Sequence, residues 1–532
     1  MTVLAQSLIA SLLVAATTAV PATVDLGYSQ YEGRVLSNGI TQWLGMRYAA
    51  APVGELRFMP PQDPPQMSAV QPAKDHGNVC LGVNKPVDEK GRDEDCLFVD
   101  VQGPTNATDE SDLPVFLYIQ GGGFGIQSNS NVNATGLLET SGKDFIFVSF
   151  NYRVGPYGFL SDGDNITPNI GLHDQRKVMQ WVQTNIKTFG GNPKHVLLAG
   201  SSAGAESVTL HLTADHGTDH GYFHAVAAES PSFATMLTLD EARYQYRQFA
   251  TRFGCVGSDS LSCLRNLTGT EIQEKNYNLP FPGGSSPPKY MYTPSIDGTF
   301  VPDYTYRLLE QGKFIKVPSI YGDDNNGGTK FMDKNTATLE ESNLAILNVY
   351  PFMSLKQLQE ANELYPNPNN TCPNTGCYWR QVSNVYGECR YMCPAITISS
   401  AMVEHGVADT YQYLWNVEDP EQIESGLGVP HTVEFGALIG PDYWKVPKSY
   451  KAGGVNEGVS VVMQRYWTNF AKTFNPNRGK CGPGKQSQWK RWSLETQERL
   501  VFQTGAKTEM KNIGDVSKRC EFWKRSGVSM RL

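Results

Sequence analysis

The chain has 532 residues, of which 40% are hydrophobic and 18% are charged, as is typical of a soluble globular protein. Its formal net charge of −8 argues against a nucleic-acid partner and against an anionic membrane surface, and it leaves neutral or cationic small molecules as compatible ligands. The 51 glycines and 32 prolines indicate many turns and loops between the regular elements.

The amino-terminal residues 1–22 predict a secretory signal peptide. An apolar run extends from Leu8 to Val20, and Val20-Pro21-Ala22 offers a small-residue cleavage site, although no Lys or Arg precedes the run. The run is too short to span a bilayer comfortably, and no later segment predicts a membrane span or a lipid anchor. We therefore expect cleavage of this segment and secretion of residues 23–532 without a stable membrane anchor.

Two further features agree with an extracellular location. The ten cysteines, an even number, predict disulfide bonds formed in an oxidising compartment. N-x-[ST] sequons predict glycosylation, and the five acceptor sites are Asn106, Asn133, Asn165, Asn266 and Asn369.

Apolar, β-branched runs predict buried parallel strands, and helical patterns separate several of them. The clearest helical pattern is Arg176–Lys187, which places its apolar residues on one face. This alternation predicts an α/β fold: a mostly parallel, twisted central sheet with helices on both faces. With no internal repeat, residues 23–532 are predicted to form one domain with loop and lid insertions. The predicted strands are Val115–Ile119, Phe145–Phe150, Val196–Ala199, Val226–Ala228, Val317–Tyr321 and Tyr411–Trp415.

A G-x-S-x-G sequence, Gly200–Gly204, follows the predicted strand Val196–Ala199. This pattern is typical of a sharp strand-to-helix turn that exposes a nucleophilic serine, and small residues two positions away make room for the turn. Ser202 is therefore the candidate nucleophile. The N–H of the next residue, Ala203, is predicted to point at the oxyanion that forms during acyl transfer.

A glycine run supplies the other expected oxyanion donors. Gly121-Gly122-Gly123 follows the predicted strand Val115–Ile119, so it lies at a strand end ahead of the serine. Without side chains, these residues let backbone N–H groups approach a tetrahedral oxygen. We expect Gly122 and Gly123 to donate together with Ala203, and one such donor stabilises a transition state by ~3–4 kcal/mol.

These motifs and several others occur in an order that resembles the type-B carboxylesterases, the family of cholinesterases, fungal lipases and fungal esterases. The resemblance extends from about Gly27 to near the carboxyl terminus. It implies an α/β-hydrolase fold and hydrolysis of a small or medium organic ester through a serine acyl-enzyme, with no cofactor and no metal. The further matching motifs are Tyr48–Phe58 with Pro60-Pro61, Glu94–Val101, Asn151–Arg153, Gly158–Leu160, Gly171–Gln175 and Phe189–Pro193.

The resemblance also implies structural pairs. Ion pairs are expected for Arg57 with Glu94 and for Arg153 with Asp174, and Ser230 would contribute a hydroxyl beside the catalytic groups. The expected disulfides are Cys80–Cys96 and Cys255–Cys263. We expect the other six cysteines to pair as well, in a connectivity that the sequence does not reveal. A zinc site is the disfavoured alternative for four of these six: Cys372, Cys377, Cys389 and Cys393.

His431 is the candidate general base. It lies beyond the predicted strand Tyr411–Trp415, in agreement with the Ser…acid…His order of this fold, and Gly428–Glu434 resembles the family motif G-V-x-H-x-x-E. A choline substrate is not expected, because the segment between Cys80 and Cys96 contains no aromatic residue for a quaternary ammonium.

The carboxylate that should orient His431 is missing from its expected position. The family reads roughly G-D-x-x-x-E-G-T where this chain has Gly322–Thr329, and Gly327 takes the place of the glutamate. Loss of this acid typically costs ~10⁴ in kcat. Asp324, or its neighbour Asp323, could substitute if the loop runs differently, and Glu434 is the alternative.

A third outcome is a Ser-His dyad without an acid. Three functions therefore stay open at this point: an ester hydrolase with a substitute acid, an acyl-transferring or condensing biosynthetic enzyme, and a catalytically silent binding protein.

Overall fold

Runs of β-branched and aromatic residues form the strands of the protein, which we describe from a computed structural model covering residues 19–88, 91–367, 372, 374–479 and 486–532. Residues 1–18 of the predicted signal peptide, Asn369 and Cys481 lie outside the described residues. In chain order, the strands are β1 (Thr23–Asp25), β2 (Gln30–Glu32), β3 (Arg34–Val35), β4 (Ile40–Arg47), β5 (Gln71–Pro72), β6 (Val79–Cys80), β7 (Arg92–Asp93), β8 (Phe98–Pro104), β9 (Leu113–Ile119), β10 (Ile146–Phe150), β11 (Gly191–Ser201), β12 (Ala225–Glu229), β13 (Leu237–Thr238), β14 (Ser295–Ile296), β15 (Ser319–Asp324), β16 (Thr410–Asn416), β17 (Glu498–Gln503) and β18 (Lys507–Asn512).

Helices occupy much of the chain between the strands. A π-helical turn, Glu388–Met392, joins two of them into one continuous segment. The helices are α1 (Thr135–Ser141), α2 (Pro156–Phe159), α3 (Ile170–Asn185), α4 (Ala203–Thr213), α5 (Leu239–Arg252), α6 (Ser260–Arg265), α7 (Gly269–Glu274), α8 (Thr305–Glu310), α9 (Leu339–Val349), α10 (Leu355–Leu364), α11 (Trp379–Gly387), α12 (Cys393–Glu404), α13 (Pro420–Glu424), α14 (Val433–Ile439), α15 (Val459–Thr473) and α16 (Val516–Gly527).

The central sheet contains eleven strands of the described residues, in the order β18-β17-β16-β15-β12-β11-β9-β10-β8-β4-β3. The strands from β17 to β10 in this order run parallel, and antiparallel strands complete both edges. The fold class predicted from the sequence is confirmed. Because the carboxyl ends of parallel strands meet at one edge, the segments that follow β9, β11, β12 and β15 lie close together.

Strand β9 illustrates why the sheet is covered on both faces. Its residues Val115, Leu117 and Ile119 pack into one buried apolar cluster, whereas Phe116 and Tyr118 pack into a second cluster on the opposite face. Alternate side chains of a strand point to opposite faces, so a strand that is apolar throughout needs helices on both sides.

The predicted elements recur with shifted bounds. All six predicted strands are present as β9, β10, β11, β12, β15 and β16, and most of them extend one or more residues further than predicted. The predicted helix Arg176–Lys187 begins earlier, at Ile170, and its last regular residue is Asn185. None of the helices in the described ranges is long and apolar enough to cross a membrane.

Two buried ion pairs fix loops around the sheet. The Arg57 guanidinium binds both carboxylate oxygens of Glu94, and Nη2 lies 2.7 Å from Oε2. Arg153 binds Asp174 in the same bidentate way, at 2.8 and 2.6 Å. Bidentate geometry adds directional specificity to such pairs.

Disulfides join Cys80 to Cys96 and Cys255 to Cys263. Two further bonds are Cys372–Cys377 and Cys393–Cys520. The expectation that all six remaining cysteines pair is wrong for Cys389, whose thiol is free and buried. Burial raises its pKa to about 12, which disfavours the reactive thiolate.

These bonds also overturn the zinc alternative, since three of its four proposed ligands are consumed in disulfides. No cluster of three or more metal-ligating side chains is present among the described residues.

Candidate active site

Ser202 occupies the tight turn between β11 and α4. Its backbone angles, φ 59° and ψ −123°, lie in a region that non-glycine residues rarely adopt, as a nucleophile turn requires. The flanking glycines allow the close approach. A Cβ atom on Gly200 would lie 2.5 Å from the carbonyl oxygen of Gly204, and one on Gly204 would lie 2.1 Å from that of Ile119.

The glycine run after β9 lies directly beside Ser202. A Cβ atom on Gly121 would stand 2.9 Å from Cβ of Ser202. Gly122 and Gly123 adopt positive φ angles of 127° and 61°. Among the described residues, the N–H groups of Gly122, Gly123 and Ala203 find no protein acceptor, so they are free to bind an oxyanion.

His431 lies on the loop between α13 and α14, with only 4% of its surface exposed. Burial lowers its pKa well below 6.5, and the positive charges of Lys330 and Arg390 lower it further, so the imidazole is neutral at physiological pH. The Lys330 ammonium donates to the His431 carbonyl oxygen at 3.0 Å and thereby holds the loop.

Aromatic rings, rather than a carboxylate, surround the His431 ring. The Tyr391 ring stacks on it with centroids 4.0 Å apart and planes 22° apart, and Phe331 contacts it at 5.3 Å. Neither ring nitrogen of His431 has a hydrogen-bond partner among the described residues. The imidazole is therefore oriented by packing alone.

Gly327 and Tyr391 together explain the missing acid. A Cβ atom on Gly327 would lie 3.1 Å from Cδ2 of Tyr391, so the tyrosine ring fills space that a larger side chain at this position would enter. Tyr391 belongs to the π-helical turn between α11 and α12, and such turns often occur at functional sites. The glycine makes room for the ring that stacks on His431.

Asp324 and Glu434 meet beside Ser230 instead of at the imidazole. The Ser230 hydroxyl lies 3.3 Å from Oδ2 of Asp324 and 3.5 Å from Oε1 of Glu434. Asp324 also accepts a hydrogen bond from the N–H of Thr432 at 2.6 Å, one residue beyond His431.

Burial is the main cause that raises the pKa of both Asp324 and Glu434, and their proximity raises that of Asp324 further. The structure thus brings the two predicted acids to the loop that carries the histidine, but not to its ring.

The structure also contains a buried acid, Glu206, and a buried cation, Arg390, that the sequence analysis did not predict. Glu206 lies on α4, one turn after Ser202, and its Oε1 accepts the N–H of Ala234 at 3.3 Å. Burial raises the Glu206 pKa to about 8, although the Arg390 cation opposes the shift. A charged residue inside the apolar α4 is a signal for Glu206, whereas nothing in the sequence singles out Arg390.

A cavity of about 320 Å³ opens beside the Arg390 side chain. Tyr290, Phe331 and Arg390 line it, but Ser202 and His431 do not. Its size is in the range of small-molecule sites.

The nucleophile turn, the glycine oxyanion site and the buried histidine at the carboxyl edge of a mostly parallel sheet define a serine hydrolase of the α/β-hydrolase fold. Residues 21–523 match the carboxylesterase family, and the chain belongs to that family.

Individual relatives agree with this assignment. The solved Aspergillus niger EstA is 37% identical with a TM-score of 0.92, and the match covers 96% of this chain and 99% of that structure. Acylcarnitine hydrolase of Rattus norvegicus is 30% identical over 82% of this chain and 80% of the relative. Lipase 1 of Geotrichum candidum is 33% identical over 60% of this chain, which spans 65% of that lipase. The family and these relatives support carboxylic ester hydrolysis by a serine carboxylesterase, and they favour neither a condensing enzyme nor a silent binding protein.

Proposed function

We propose that the protein hydrolyses carboxylic esters of small or medium organic substrates through an acyl-enzyme on Ser202. The observation that carries the proposal is the strained turn at Ser202, flanked by the unpaired N–H groups of Gly122, Gly123 and Ala203. Strain of this kind persists where the surroundings over-determine it, and it is typical of functional positions.

In the proposed reaction, Oγ of Ser202 attacks the ester carbonyl carbon while His431 accepts the hydroxyl proton. The carbonyl π electrons move to the oxygen, and the three N–H groups bind the resulting oxyanion. Collapse of this intermediate expels the alcohol, which takes the proton from His431. Water then attacks the acyl-enzyme by the same steps and releases the carboxylic acid.

We assign Asp324 a positioning role in place of direct contact with the imidazole. Its carboxyl group binds the Thr432 N–H and fixes the backbone that carries His431. The Ser230 hydroxyl donates to the same carboxyl oxygen, Oδ2, and the Glu434 carboxyl group hydrogen-bonds Asp324 as well. The imidazolium formed during the reaction therefore lacks a neighbouring anion, and we expect slower turnover than in relatives that have a triad glutamate.

A fluorophosphonate probe and p-nitrophenyl butyrate test the proposal. The wild-type protein should be labelled at Ser202 and should hydrolyse the ester, and Ser202→Ala should abolish both. Ser201→Ala is the matched control, because it removes a hydroxyl one residue away and should keep the labelling. Labelling of Ser202→Ala at the wild-type rate would contradict the assignment.

We also propose secretion and glycosylation of the chain, as one catalytic domain after cleavage of residues 1–22. The sequon residues Asn106, Asn165 and Asn266 are exposed, whereas Asn133 is half-buried and its side chain binds Thr135. The three exposed sites should carry glycan in a larger fraction of the molecules than Asn133 does. Peptide mass mapping before and after N-glycosidase treatment of the secreted protein tests this difference.

A further inference from the structure

Arg390 is a buried cation with an unused hydrogen-bond donor. Only 4% of the residue is exposed, and its Nε donates to Oγ of Ser232 at 2.9 Å. Its Nη2 has no partner among the described residues. A buried guanidinium N–H without a partner costs free energy, so a ligand that accepts its hydrogen bonds would be stabilised there.

The charge of Arg390 is not neutralised by its neighbours. Glu206 is the acid that interacts with the guanidinium, and with its pKa raised to about 8 by burial it is mostly protonated at neutral pH. Burial also raises the pKa of each tyrosine that interacts with the guanidinium, so these rings stay neutral; they are Tyr290, Tyr350, Tyr386 and Tyr391. Exposed Lys289 and Asp333, which also line the cavity, offset each other.

The cavity adjoins both halves of the catalytic site. The Tyr290 ring covers Gly123, where a Cβ atom would lie 2.4 Å from Cδ1 of the ring, and it stands 5.9 Å from Cζ of Arg390. Phe331 lines the cavity and contacts the His431 ring at 5.3 Å. One aromatic side chain thus separates the guanidinium from the oxyanion glycine.

We propose that this cavity is a subsite for a free carboxylate on the ester substrate, bound by the guanidinium of Arg390. The carboxylate would accept the unused Nη2–H, and the rest of the substrate would pass Tyr290 to place its ester carbonyl at Ser202. Preferred substrates would then be half-esters of dicarboxylic acids or esters of carboxylated alcohols and phenols. This inference rests on the proposed function and specifies its substrate class.

Two pairs of substrates measured with the wild-type enzyme test the subsite. Monoethyl adipate and ethyl adipamate place a carboxylate or a neutral amide on the acyl side. The pair 4-acetoxybenzoate and 4-acetoxybenzamide does the same on the leaving-group side. We expect kcat/KM for the carboxylate to exceed that for the amide by about tenfold to hundredfold in at least one pair, and the pair concerned identifies the side.

Equal or lower kcat/KM for the carboxylate in both pairs overturns the subsite while leaving esterase activity intact. A failure to hydrolyse any of the four esters would instead contradict the proposed function itself. The two failures are therefore distinguishable.

In the pair that shows the preference, Arg390→Gln should bring the ratio of kcat/KM for the carboxylate to kcat/KM for the amide close to one. Lys289→Gln, at the exposed rim, should lower this ratio by only about twofold. An unchanged ratio in folded Arg390→Gln overturns the proposal. If Arg390→Gln does not fold, inhibition of the wild-type enzyme decides: adipate should compete with p-nitrophenyl butyrate more strongly than adipamide does, and equal inhibition overturns the proposal.

Discussion

On the nucleophile side of the proposed site, the groups that we assign to acyl transfer lie together, from the strained turn at Ser202 to the unpaired N–H groups of Gly122 and Gly123. On the base side, His431 faces the Tyr391 ring at 4.0 Å where the family pattern expects a glutamate to act from position 327. The nucleophile side tolerates little variation because Gly122, Gly200 and Gly204 pack against backbone atoms that cannot give way. The base side depends on side chains, so one ring can replace one carboxylate without disturbing the sheet.

Replacing His431 tests whether the altered base side still works as a base. His431→Ala should lower kcat/KM for p-nitrophenyl acetate by about 10³–10⁴-fold, because general-base assistance contributes up to that range. The exposed His220→Ala is the control and should match the wild type. A loss below tenfold in His431→Ala would mean that His431 does not act as the base for Ser202 and that another group takes the proton.

Restoring a carboxylate at position 327 tests the reciprocal relation of Gly327 and Tyr391. Gly327→Glu alone should give no rise in kcat and should destabilise the protein by about 1–3 kcal/mol, because its Cβ would meet the tyrosine ring. Gly327→Glu with Tyr391→Ala should raise kcat above that of Tyr391→Ala by about tenfold or more, since the new carboxylate can reach the imidazole.

Stopped-flow acylation rates and thermal unfolding measure the two effects of the Gly327 substitution. If Gly327→Glu alone gives full activity and unchanged stability, the ring does not occupy the acid's place.

Removing the stack without adding an acid sharpens the same comparison. Tyr391→Leu should lower kcat by about three- to tenfold, because the imidazole loses its flat neighbour and gains rotational freedom. It should also admit water, so the pKa of His431 rises toward 6.5 and the acidic limb of the kcat/KM profile moves to higher pH. Tyr391→Phe keeps the ring and should leave both quantities within twofold. Equal profiles in Tyr391→Leu and the wild type would refute a positioning role.

The local structure of the nucleophile side could be predicted almost completely from the sequence. Its strand, its turn and its glycines are adjacent in the chain, so periodicity and a short motif define them. The base side could be predicted only in part. The motif around His431 is local, and Gly327 stands out against the family pattern.

The ring that replaces the acid comes from a π-helical turn formed by residues 388–392, and neither the turn nor its packing against residue 431 has a local signal. Arg390 could not be predicted for the same reason: its contacts join segments far apart in the chain, so no local pattern indicates them. Asp324 could be predicted as a candidate acid from its residue type. The sequence does not show that its carboxyl group binds the Thr432 N–H instead of the imidazole.

The buried acid Glu206, on the helix that follows Ser202, can be tested through the stability of the protein rather than through the reaction rate. Its pKa is raised from 4.5 to about 8 in the folded protein, so the folded state keeps a proton that the unfolded chain loses between these values. Stability from this group is fully present below pH 4.5 and is lost as the pH rises through about 8. Glu206→Gln cannot lose that proton, so its free energy of unfolding should fall less between pH 5.5 and 8 than that of the wild type.

Urea unfolding at both pH values measures this difference, with exposed Glu424→Gln as the control. Other buried acids, including Asp324 and Glu434, contribute to the slope of the wild type and of both variants alike, so only the difference between variants reports on Glu206. Equal slopes for Glu206→Gln and the wild type would mean that Glu206 is ionised in the folded state. It would then neutralise Arg390, and the cation beside the nucleophile helix would no longer be available to a substrate carboxylate.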